Sequence, residues 1–588
     1  MSADRQAFLN YVQNTSSVRC AVVYNTGEKP MRKYTIYLYI FLTSFLFLLR
    51  AIFFAGSYGA VEHDSGWFMG VARNLAQRGI YASYTNTIRK EGIGAYPSLH
   101  GRYSVQDSEG YSYFPAGVTA GPGYVVPQAI FFKLFGFGFW QLRAWPLLAF
   151  LGMLIFLFYL TYLLGGIVSV VILQVWLWVV PQLYITFAYE GFGEHIALFY
   201  LLASLYFLWT SLTVKRKGRT FFVLGVLFSL SILTKYLTLL AGGAFILVFV
   251  YDFYKNRGEL KKTLIYWFYL TFGILFPIGL FEAYRYLVLT SLFDKSAWDA
   301  INADFLLHFK ANGSGVSLYG IDWEFVSRKL TVWKKVGITY FLLPWILLII
   351  SPLLLYQKKL KEKRGLFLLI FTSSLSIFFW YLFASPTGWT RHVLLGLILS
   401  MVLISVSLGT LFNLKKKVGY LAKGGVIILL SLTFVTSSGF YPNLFLDRSD
   451  IESWRVKRYE GGIQGLPHTD TFSLSDQTQL INFFEENIKD SDRVYYLGWF
   501  LLAEASPLVD RVFYSLDRYL EIGQAKGPEG GQSFLIIGPY QKGKFSLMPR
   551  DYHDKKIKEL CREVVFINSS YTLCTLKTSL VYENKAYD

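Results

Sequence analysis

The sequence predicts a polytopic α-helical membrane protein that carries a C-terminal soluble α/β domain on the outer face. The chain of 588 residues is 54% hydrophobic and 19% aromatic, with a mean hydropathy of +0.38. Only 16% of its residues are charged, whereas ordinary globular proteins carry roughly 25%. Apolar runs of membrane-spanning length recur up to residue 441, and short strands alternate with helices after it.

Apolar runs near the ~20 residues that cross a bilayer predict about eleven spans. They lie at 34–54, 143–164, 167–180, 196–212, 219–234, 236–251, 263–284, 336–356, 365–383, 391–412 and 421–441. The first run is too long and too far from the N-terminus for a removable signal peptide. The apolar segment 124–135 is expected to be re-entrant or interfacial, because counting it as a span would place the later basic loops outside.

Basic residues cluster in short loops between the apolar runs and set the orientation of the chain. The clusters lie at 215–219, 255–262, 358–364 and 415–423, and Arg32-Lys33 precedes the first span. Since cytoplasmic loops are enriched in Lys and Arg, the N-terminus is predicted to be cytoplasmic. This distribution accounts for the formal charge of +18, so we expect no nucleic-acid partner.

Three regions are then predicted to face outward: a first loop at 55–142, a second loop at 286–335 and the tail at 442–588. The chain is accordingly divided into a transmembrane domain at 1–441 and an extracytoplasmic domain at 442–588. With about 140 residues, the tail is long enough to bury a core of its own.

Hydrophobic periodicity in the tail predicts a small α/β domain. Helices are expected at 475–488 and 551–561, and strands at 493–497, 511–516 and 533–538 and as a pair within 564–576. Cys561 and Cys574 lie in this region. They form a disulfide if the compartment is oxidising or remain two unpaired buried thiols, and the sequence leaves both alternatives open.

The most informative segment of the first loop is 62–64 (Glu-His-Asp), together with the helix expected after it. Trp67, Val71 and Leu75 recur at four-residue spacing, which places them on one helix face. Such an amphipathic helix is typical of a segment in the membrane interface. We expect it to hold a carboxylate against the lipid, where a lipid-borne substrate can be reached.

Four stretches in this order resemble the GT-C glycosyltransferases, a polyprenyl-phosphate-sugar-dependent superfamily that includes protein O-mannosyltransferases and the lipid A aminoarabinose transferase. The stretches are His63-Asp64 in the first outer loop, the proline-containing segment 121–136 with 140–143, the acidic helix start 194–199 and the lysine turn 233–236. The resemblance covers roughly residues 34–250, and the later spans match only in architecture.

The resemblance implies that Asp64 is the catalytic base, since the acidic residue of the corresponding motif has this role in the family. Displacement at an anomeric carbon needs a base for the acceptor's proton and an electrophilic clamp for the departing phosphate. The alternative is structural: Asp64 or Ser65 would cap the helix that follows.

Arg143 and Lys235 fall at the predicted outward ends of spans, where a phosphate headgroup would lie, and are predicted to bind the donor phosphate. Arg391 holds a similar position late in the chain and is predicted to bind the phosphate too. His392 departs from the arginine-aromatic pair that the family often shows there. The alternative for such cations is snorkelling toward the interface. We expect Asp64 and the two earlier cations to converge around a lipid headgroup.

His63, Glu194 and His195 are predicted to bind the substrate. Glu194 would either orient a substrate hydroxyl or pair with a basic residue. Carboxylates and imidazoles also bind divalent cations, so a metal ion is left open, and no other cofactor is expected. Neighbouring residues of one helix point in different directions, which disfavours a shared metal.

The predicted function is transfer of a hexose or pentose from a polyprenyl-phosphate donor to an acceptor on the extracytoplasmic side, with inversion. The acceptor would be a protein, a lipid or a glycan, and the setting is the bacterial inner membrane. The main alternative is a transporter or flippase of lipid-linked saccharides, and the second is a non-catalytic scaffold. A transporter would place charged residues near the midplane of its spans, whereas the charges here lie mostly at span ends.

Overall fold

The computed structural model describes residues 30–58, 61, 63–86, 104–114, 121–179, 188–213, 216–311, 316–317, 320–324, 326–327, 329–330, 351, 363–385, 390–412, 424, 474–496, 504–516, 531–538 and 550–577. Up to residue 412 the helices are α1 (Pro30–Tyr58), α2 (His63–Arg78), α3 (Pro122–Phe135), α4 (Phe139–Gly165), α5 (Ile167–Val179), α6 (Glu194–Thr213), α7 (Gly218–Thr234), α8 (Gly242–Lys255), α9 (Leu260–Leu292), α10 (Lys295–Ala311), α11 (Arg364–Phe379) and α12 (Leu394–Phe412). Short helical turns at Tyr236–Ala241, Arg257–Glu259, Trp380–Ala384 and Thr390–Val393 precede or extend some of them.

Among the described residues, seven helical segments are long and apolar enough to cross a membrane. They are Tyr34–Gly56, Phe139–Gly165, Glu194–Thr213, Tyr236–Lys255, Arg257–Leu292, Arg364–Ala384 and Leu394–Phe412, and Ile167–Trp178 and Gly218–Thr234 are apolar but shorter. These segments coincide with nine of the predicted spans. The remaining two, 336–356 and 421–441, lie outside the described residues, so the total of eleven stays a prediction.

Helix α12 lies at the centre of the bundle, because nearly all of its residues are buried and it packs on α4, α5 and α11. Helix α7 packs between α6 and α9. A Cβ atom at Gly225 of α7 would lie 2.3 Å from the Leu270 carbonyl oxygen, and one at Gly273 of α9 would lie 2.2 Å from the Phe222 carbonyl oxygen. The two glycines therefore let α7 and α9 approach with their backbones in contact.

Helix α3 has 14 residues, fewer than the ~20 that cross a bilayer, and its length agrees with the re-entrant or interfacial segment that the sequence predicts. A Cβ atom at Gly121 would lie 1.4 Å from the Leu233 carbonyl oxygen, and one at Gly123 would lie 2.2 Å from Thr234 Oγ1. These glycines allow the start of α3 to lie directly on the end of α7.

Helix α2 is buried from residue 65 to residue 74, and the expectation that its apolar face lies against lipid is wrong. Trp67 is 3% exposed and Val71 is fully buried, because this face packs on α3. The polar side is covered as well: Arg73 is 9% exposed and Asn74 is fully buried. The four-residue spacing identified a helix with a buried face but not what buries it.

The C-terminal sheet contains β7 (Arg493–Tyr496), β8 (Phe513–Ser515), β9 (Ser533–Ile537), β10 (Cys561–Ile567) and β11 (Thr572–Leu576), with helices α13 (Leu474–Asn487), α14 (Ala505–Leu508) and α15 (Arg550–Leu560). Where these elements coincide with predicted ones, their ends agree to within two residues, apart from the longer β10. Cys561 and Cys574, on neighbouring antiparallel strands, form a disulfide.

The first loop joins this sheet. Its four short strands are β1 (Ala82–Ser83), β2 (Thr85–Asn86), β3 (Val105–Gln106) and β4 (Ser112–Tyr113). Strand β2 pairs in parallel with β8, so the strand order of the C-terminal sheet is β10-β11-β9-β7-β8-β2. Strands β1, β4 and β3 form a separate antiparallel sheet, and a hairpin of β5 (Val316–Ser317) and β6 (Gly320–Ile321) follows α10. The sheet is thus built from two parts of the chain that are more than 400 residues apart.

Candidate functional site

The first turn of α2 lies against the loop that precedes α6. The Gly191 amide donates a hydrogen bond of 2.7 Å to the buried Ser65 hydroxyl. A Cβ atom at Gly191 would lie 2.6 Å from the Tyr124 hydroxyl oxygen. Only glycine fits at this point, and its small size brings α2, α3 and the loop before α6 together.

Helix α2 begins at His63, which makes Asp64 its second residue. The capping role considered for Ser65 is wrong, because its hydroxyl accepts from Gly191 and donates to the Met69 sulfur at 3.7 Å. The side chains of His63 and Asp64 lie outside the described residues. Their backbone belongs to the turn that contacts Gly191.

An ion pair between a buried glutamate and a partly exposed lysine lies close to this turn. Glu194, the first residue of α6, is 3% exposed at its side chain and lies 3.0 Å through Oε1 from Lys235 Nζ. Lys235 has an extended backbone at the break between α7 and the 3-10 turn, and its Nζ lies 5.5 Å from the centre of the Phe68 ring of α2. The lysine therefore connects the ends of α6 and α7 to α2.

The second oxygen of Glu194, Oε2, is buried and has no hydrogen-bond partner among the described residues. A buried carboxylate oxygen without a donor is costly, so this atom is a natural acceptor for a hydroxyl that enters the site. The two roles that the sequence left open for Glu194 are compatible, since one oxygen pairs with Lys235 and the other is available.

Arg143 lies near the start of α4 with 3% of its surface exposed. One guanidinium nitrogen donates 2.5 Å to the Phe139 carbonyl, and the group interacts electrostatically with Glu190 and Tyr189. The guanidinium carbon lies 5.9 Å from the centre of the Tyr189 ring. Snorkelling to the interface does not describe this residue, because its head group is enclosed by protein.

Arg143 Nε makes no hydrogen bond to the described residues. A buried cation therefore keeps donor capacity next to the loop that holds Gly191. Glu190, the residue before that glycine, is 2% exposed and partly offsets the charge of Arg143. Around the start of α2, Arg143, Glu190 and Glu194 are buried, and Lys235 is 23% exposed.

Tyr124 of α3 also lies in the site, between Phe68 of α2 and Gly191. Its ring lies 5.9 Å from Phe68, and its buried hydroxyl has no hydrogen-bond partner among the described residues. The Tyr200 hydroxyl donates 3.2 Å to the Gly123 carbonyl and fixes the first turn of α3 on α6. The sequence analysis assigned no role of its own to Tyr124, which lies in the proline-containing segment of the resemblance, and it considered only a capping role for Ser65.

His195 points away from Glu194, as expected for neighbours in one helix. Its buried ring contacts the Pro146 carbonyl of α4 through Nε2 at 3.1 Å, and Nδ1 has no hydrogen-bond partner among the described residues. Within the described part of the chain, no group of three or more His, Cys, Asp or Glu residues is arranged to hold a metal ion. Substrate binding by His195 and His63 stays a prediction.

Arg391 lies in the 3-10 turn Thr390–Val393, and its side chain is outside the described residues. His392 beside it contacts Trp380, with ring centres 6.1 Å apart. Of the residues singled out from the sequence, the structure brings Glu194 and Lys235 together beside the turn that contains Asp64. It places Arg143 with Glu190, in the loop that contacts the same turn.

Comparisons with known proteins support the resemblance that the sequence indicates. The family model of dolichyl-phosphate-mannose-protein mannosyltransferases matches residues 120–280. Two solved structures of ArnT from Cupriavidus metallidurans share the fold at 12% sequence identity. The one bound to undecaprenyl phosphate superposes with a TM-score of 0.56 and covers 95% of this chain and 100% of that chain. The apo structure superposes with a TM-score of 0.52 over 94% of this chain and 100% of that chain.

The apo form of the Archaeoglobus fulgidus oligosaccharyltransferase has 12% identity and a TM-score of 0.49, with 87% of this chain and 70% of that chain covered. No curated protein matches the sequence. The resemblance to the GT-C superfamily is confirmed by the family match and the shared fold with ArnT. Together with the seven apolar helices, the fold confirms the predicted class of a polytopic, multi-pass helical membrane protein.

Proposed function

We propose that this integral membrane protein with the GT-C fold transfers a sugar from a polyprenyl-phosphate carrier to an acceptor on the extracytoplasmic side. The observation that carries the proposal is the set of charges near the start of α2: the partly exposed Lys235 with the buried Glu194, and the buried Arg143 with Glu190. An anionic headgroup is the ligand that two such cations would receive, and the turn beside them contains Asp64.

The proposed reaction is a direct displacement with inversion. Asp64 removes the proton of the acceptor hydroxyl, and the acceptor oxygen forms a bond to the anomeric carbon. The bond between that carbon and the phosphate oxygen breaks, and its electron pair stays on the phosphate. Arg143 and Lys235 stabilise the charge that develops on the leaving phosphate. Arg391 is proposed to assist from the turn before α12.

The lysine is held ready for this role by Glu194. The ion pair with the buried Glu194 carboxylate holds the lysine ammonium group in place. We propose that the phosphate takes over part of the pairing when the donor binds. The free Glu194 Oε2 would then accept a hydroxyl of the sugar. We propose that His63 contacts the sugar from the first turn of α2 and that His195 contacts the substrate from the side of α6 that faces Pro146.

Several observations support the donor and its setting. The ArnT that shares the fold was solved with undecaprenyl phosphate, which is why we propose a polyprenyl donor. The mannosyltransferase family match at 120–280 contains Arg143, Glu194 and Lys235. Disulfides persist in oxidising compartments, so the bond between Cys561 and Cys574 favours an extracytoplasmic domain at 442–588. The proposed location is the bacterial inner membrane.

The test uses the full chain purified with its bound lipid. Mass spectrometry of the extracted lipid should show a prenyl phosphate that carries one sugar. The variant Asp64→Asn should lower transfer from this lipid by roughly 10²- to 10⁴-fold, the usual contribution of a general base, while binding of undecaprenyl phosphate persists. Asp299→Asn, at an exposed position of α10, is the matched control and should retain activity. Normal transfer by Asp64→Asn would reject the assigned base.

A further inference from the structure

We infer that Gln477 of the C-terminal region is a positioning residue that sets where Asp64 stands in the site. The inference rests on the proposed function, because it assigns the geometry of the proposed base to a side chain outside the membrane-embedded helices. Gln477 lies on α13 and is fully buried.

Gln477 holds the segment before α2 through both the oxygen and the nitrogen of its side-chain amide. The Val61 amide donates a hydrogen bond of 2.7 Å to Gln477 Oε1, and Gln477 Nε2 donates one of 2.8 Å to the Val61 carbonyl. The two residues are 416 positions apart. Because one planar group satisfies both backbone atoms, the pairing imitates a neighbouring β-strand and restricts the Val61 peptide in position and in rotation. Val61 is two residues before α2 and three before Asp64.

Helix α13 is itself firmly attached to the C-terminal sheet. The Asp476 carboxylate accepts hydrogen bonds from the Ser569 hydroxyl at 2.6 Å and from the Ser570 hydroxyl, in the turn between β10 and β11. Asn568 donates 3.1 Å to the Asp476 carbonyl, and Leu480 of α13 is fully buried. Gln477 therefore belongs to a helix that is anchored to the C-terminal sheet.

The same region holds the other end of α2. Asp510 lies 3.3 Å from Arg73 and 2.9 Å from Arg78, and the carbonyl of Pro507 also accepts from Arg73. Burial raises the pKa of Tyr84 well above its usual value, so its hydroxyl stays protonated and donates to Asp510. The C-terminal region thus contacts α2 at both ends, through Val61 before it and through Asp510 at its last turns, and contributes to its axial position.

This arrangement has a specific kinetic consequence. The cations proposed to bind the donor phosphate, Arg143 and Lys235, lie on α4 and at the end of α7, where their partners are the Phe139 carbonyl and Glu194, whereas Gln477 bonds to Val61. Loss of the Gln477 pairing should displace the base relative to a bound donor without weakening the binding of that donor. A displacement near 1 Å lowers the rate of a chemical step by up to roughly 100-fold.

The experiment compares Gln477→Leu with Gln479→Leu, a control on the exposed face of the same helix. Transfer is measured with the full-length protein and the lipid-linked sugar that copurifies with it, added back at increasing concentration. We expect kcat of Gln477→Leu to fall roughly 10- to 100-fold with KM for the donor lipid within about twofold of the control. Binding of undecaprenyl phosphate and the thermal midpoint should match the control.

An unchanged kcat for Gln477→Leu, or a raised KM with normal kcat, would overturn the inference while leaving the proposed function intact. If Gln477→Leu does not fold, Gln477→Asn decides by the same criteria, since it keeps a buried amide but withdraws it from Val61. A wild-type protein that transfers no sugar from the copurified lipid would instead overturn the proposed function, and the inference with it.

Discussion

The membrane-embedded bundle and the C-terminal sheet both fix α2, but by different kinds of contact. On the bundle side, glycines bring whole backbones together, and an ion pair lies beside Phe68. On the sheet side, α14 packs on α2 at Gly70, where a Cβ atom would lie 3.2 Å from Pro507 Cβ, and individual polar groups, chiefly Gln477 and Asp510, add further contacts. Close-packed backbones cannot shift without moving entire helices, whereas each hydrogen bond contributes only modestly to stability. Contacts with the bundle therefore hold α2 rigidly, and polar contacts with the C-terminal region refine its position.

The largest effect on stability is expected from a substitution on the bundle side, at Lys235. Lys235→Met leaves the Glu194 carboxylate, 3% exposed, without its partner, and should lower the free energy of unfolding by about 4 kcal/mol. The thermal midpoint in detergent measures this loss. Lys262→Met, which removes a lysine exposed by 68% from its pair with Glu259, should change stability by less than about 0.5 kcal/mol.

The double variant Glu194→Gln/Lys235→Met separates stability from binding. It removes the uncompensated charge and should recover most of the lost stability. Its binding of undecaprenyl phosphate should remain weaker than that of the wild type, because Lys235, which is proposed to bind the phosphate, is absent. Wild-type binding by the double variant would contradict the role of Lys235.

A second prediction concerns the contact between α3 and α7. Gly121→Ala introduces a Cβ atom 1.4 Å from the Leu233 carbonyl oxygen, and the two helices must separate to admit it. We expect a destabilisation of about 3 kcal/mol, at the upper end of the usual cost of overpacking. Gly279→Ala in α9, where a Cβ atom meets open space, should be neutral or slightly stabilising. Equal thermal midpoints for the two variants would show that the close approach does not support the fold.

The smallest effect is expected on the sheet side. Asp510→Asn removes the ion pairs with Arg73 and Arg78, and since Asp510 is 31% exposed, the cost should be about 1 kcal/mol. Hydrogen exchange in the last turn of α2 should accelerate. Asp490→Asn, which removes a fully exposed partner of Arg511, should leave that exchange unchanged. If both variants exchange alike, Asp510 does not hold α2.

What could be predicted from the sequence follows the same division. Apolar runs and strand periodicity located most of the described helices and strands, since these patterns are local, although α9 extends eight residues beyond the C-terminal end of the span predicted at 263–284. Lys235 and Glu194 could be singled out because a charge at the end of an apolar run is conspicuous. Their mutual ion pair was one of the alternatives considered for Glu194, and the structure contains it.

The contacts made by Gln477, Asp510 and Ser65 could not be predicted. Each is an ordinary polar residue whose partner lies far away in the chain, and only the folded topology brings the two together. For the same reason the apolar face of α2 was assigned to lipid. Periodicity shows that a helix has a face to bury, but the covering element has to be known from tertiary structure.

Strand β2 carries a consequence for how often the chain crosses the bilayer. Thr85 and Asn86 pair with Phe513 and Tyr514, which supports the prediction that the first loop and the tail face the same aqueous compartment. That prediction requires an even number of membrane crossings between them. Ten of the eleven spans expected from the sequence lie in that interval, since only the first precedes it. A membrane crossing by α3 in addition would make the number odd. A parity rule supported by two residue pairs thus constrains the topology of more than 400 residues.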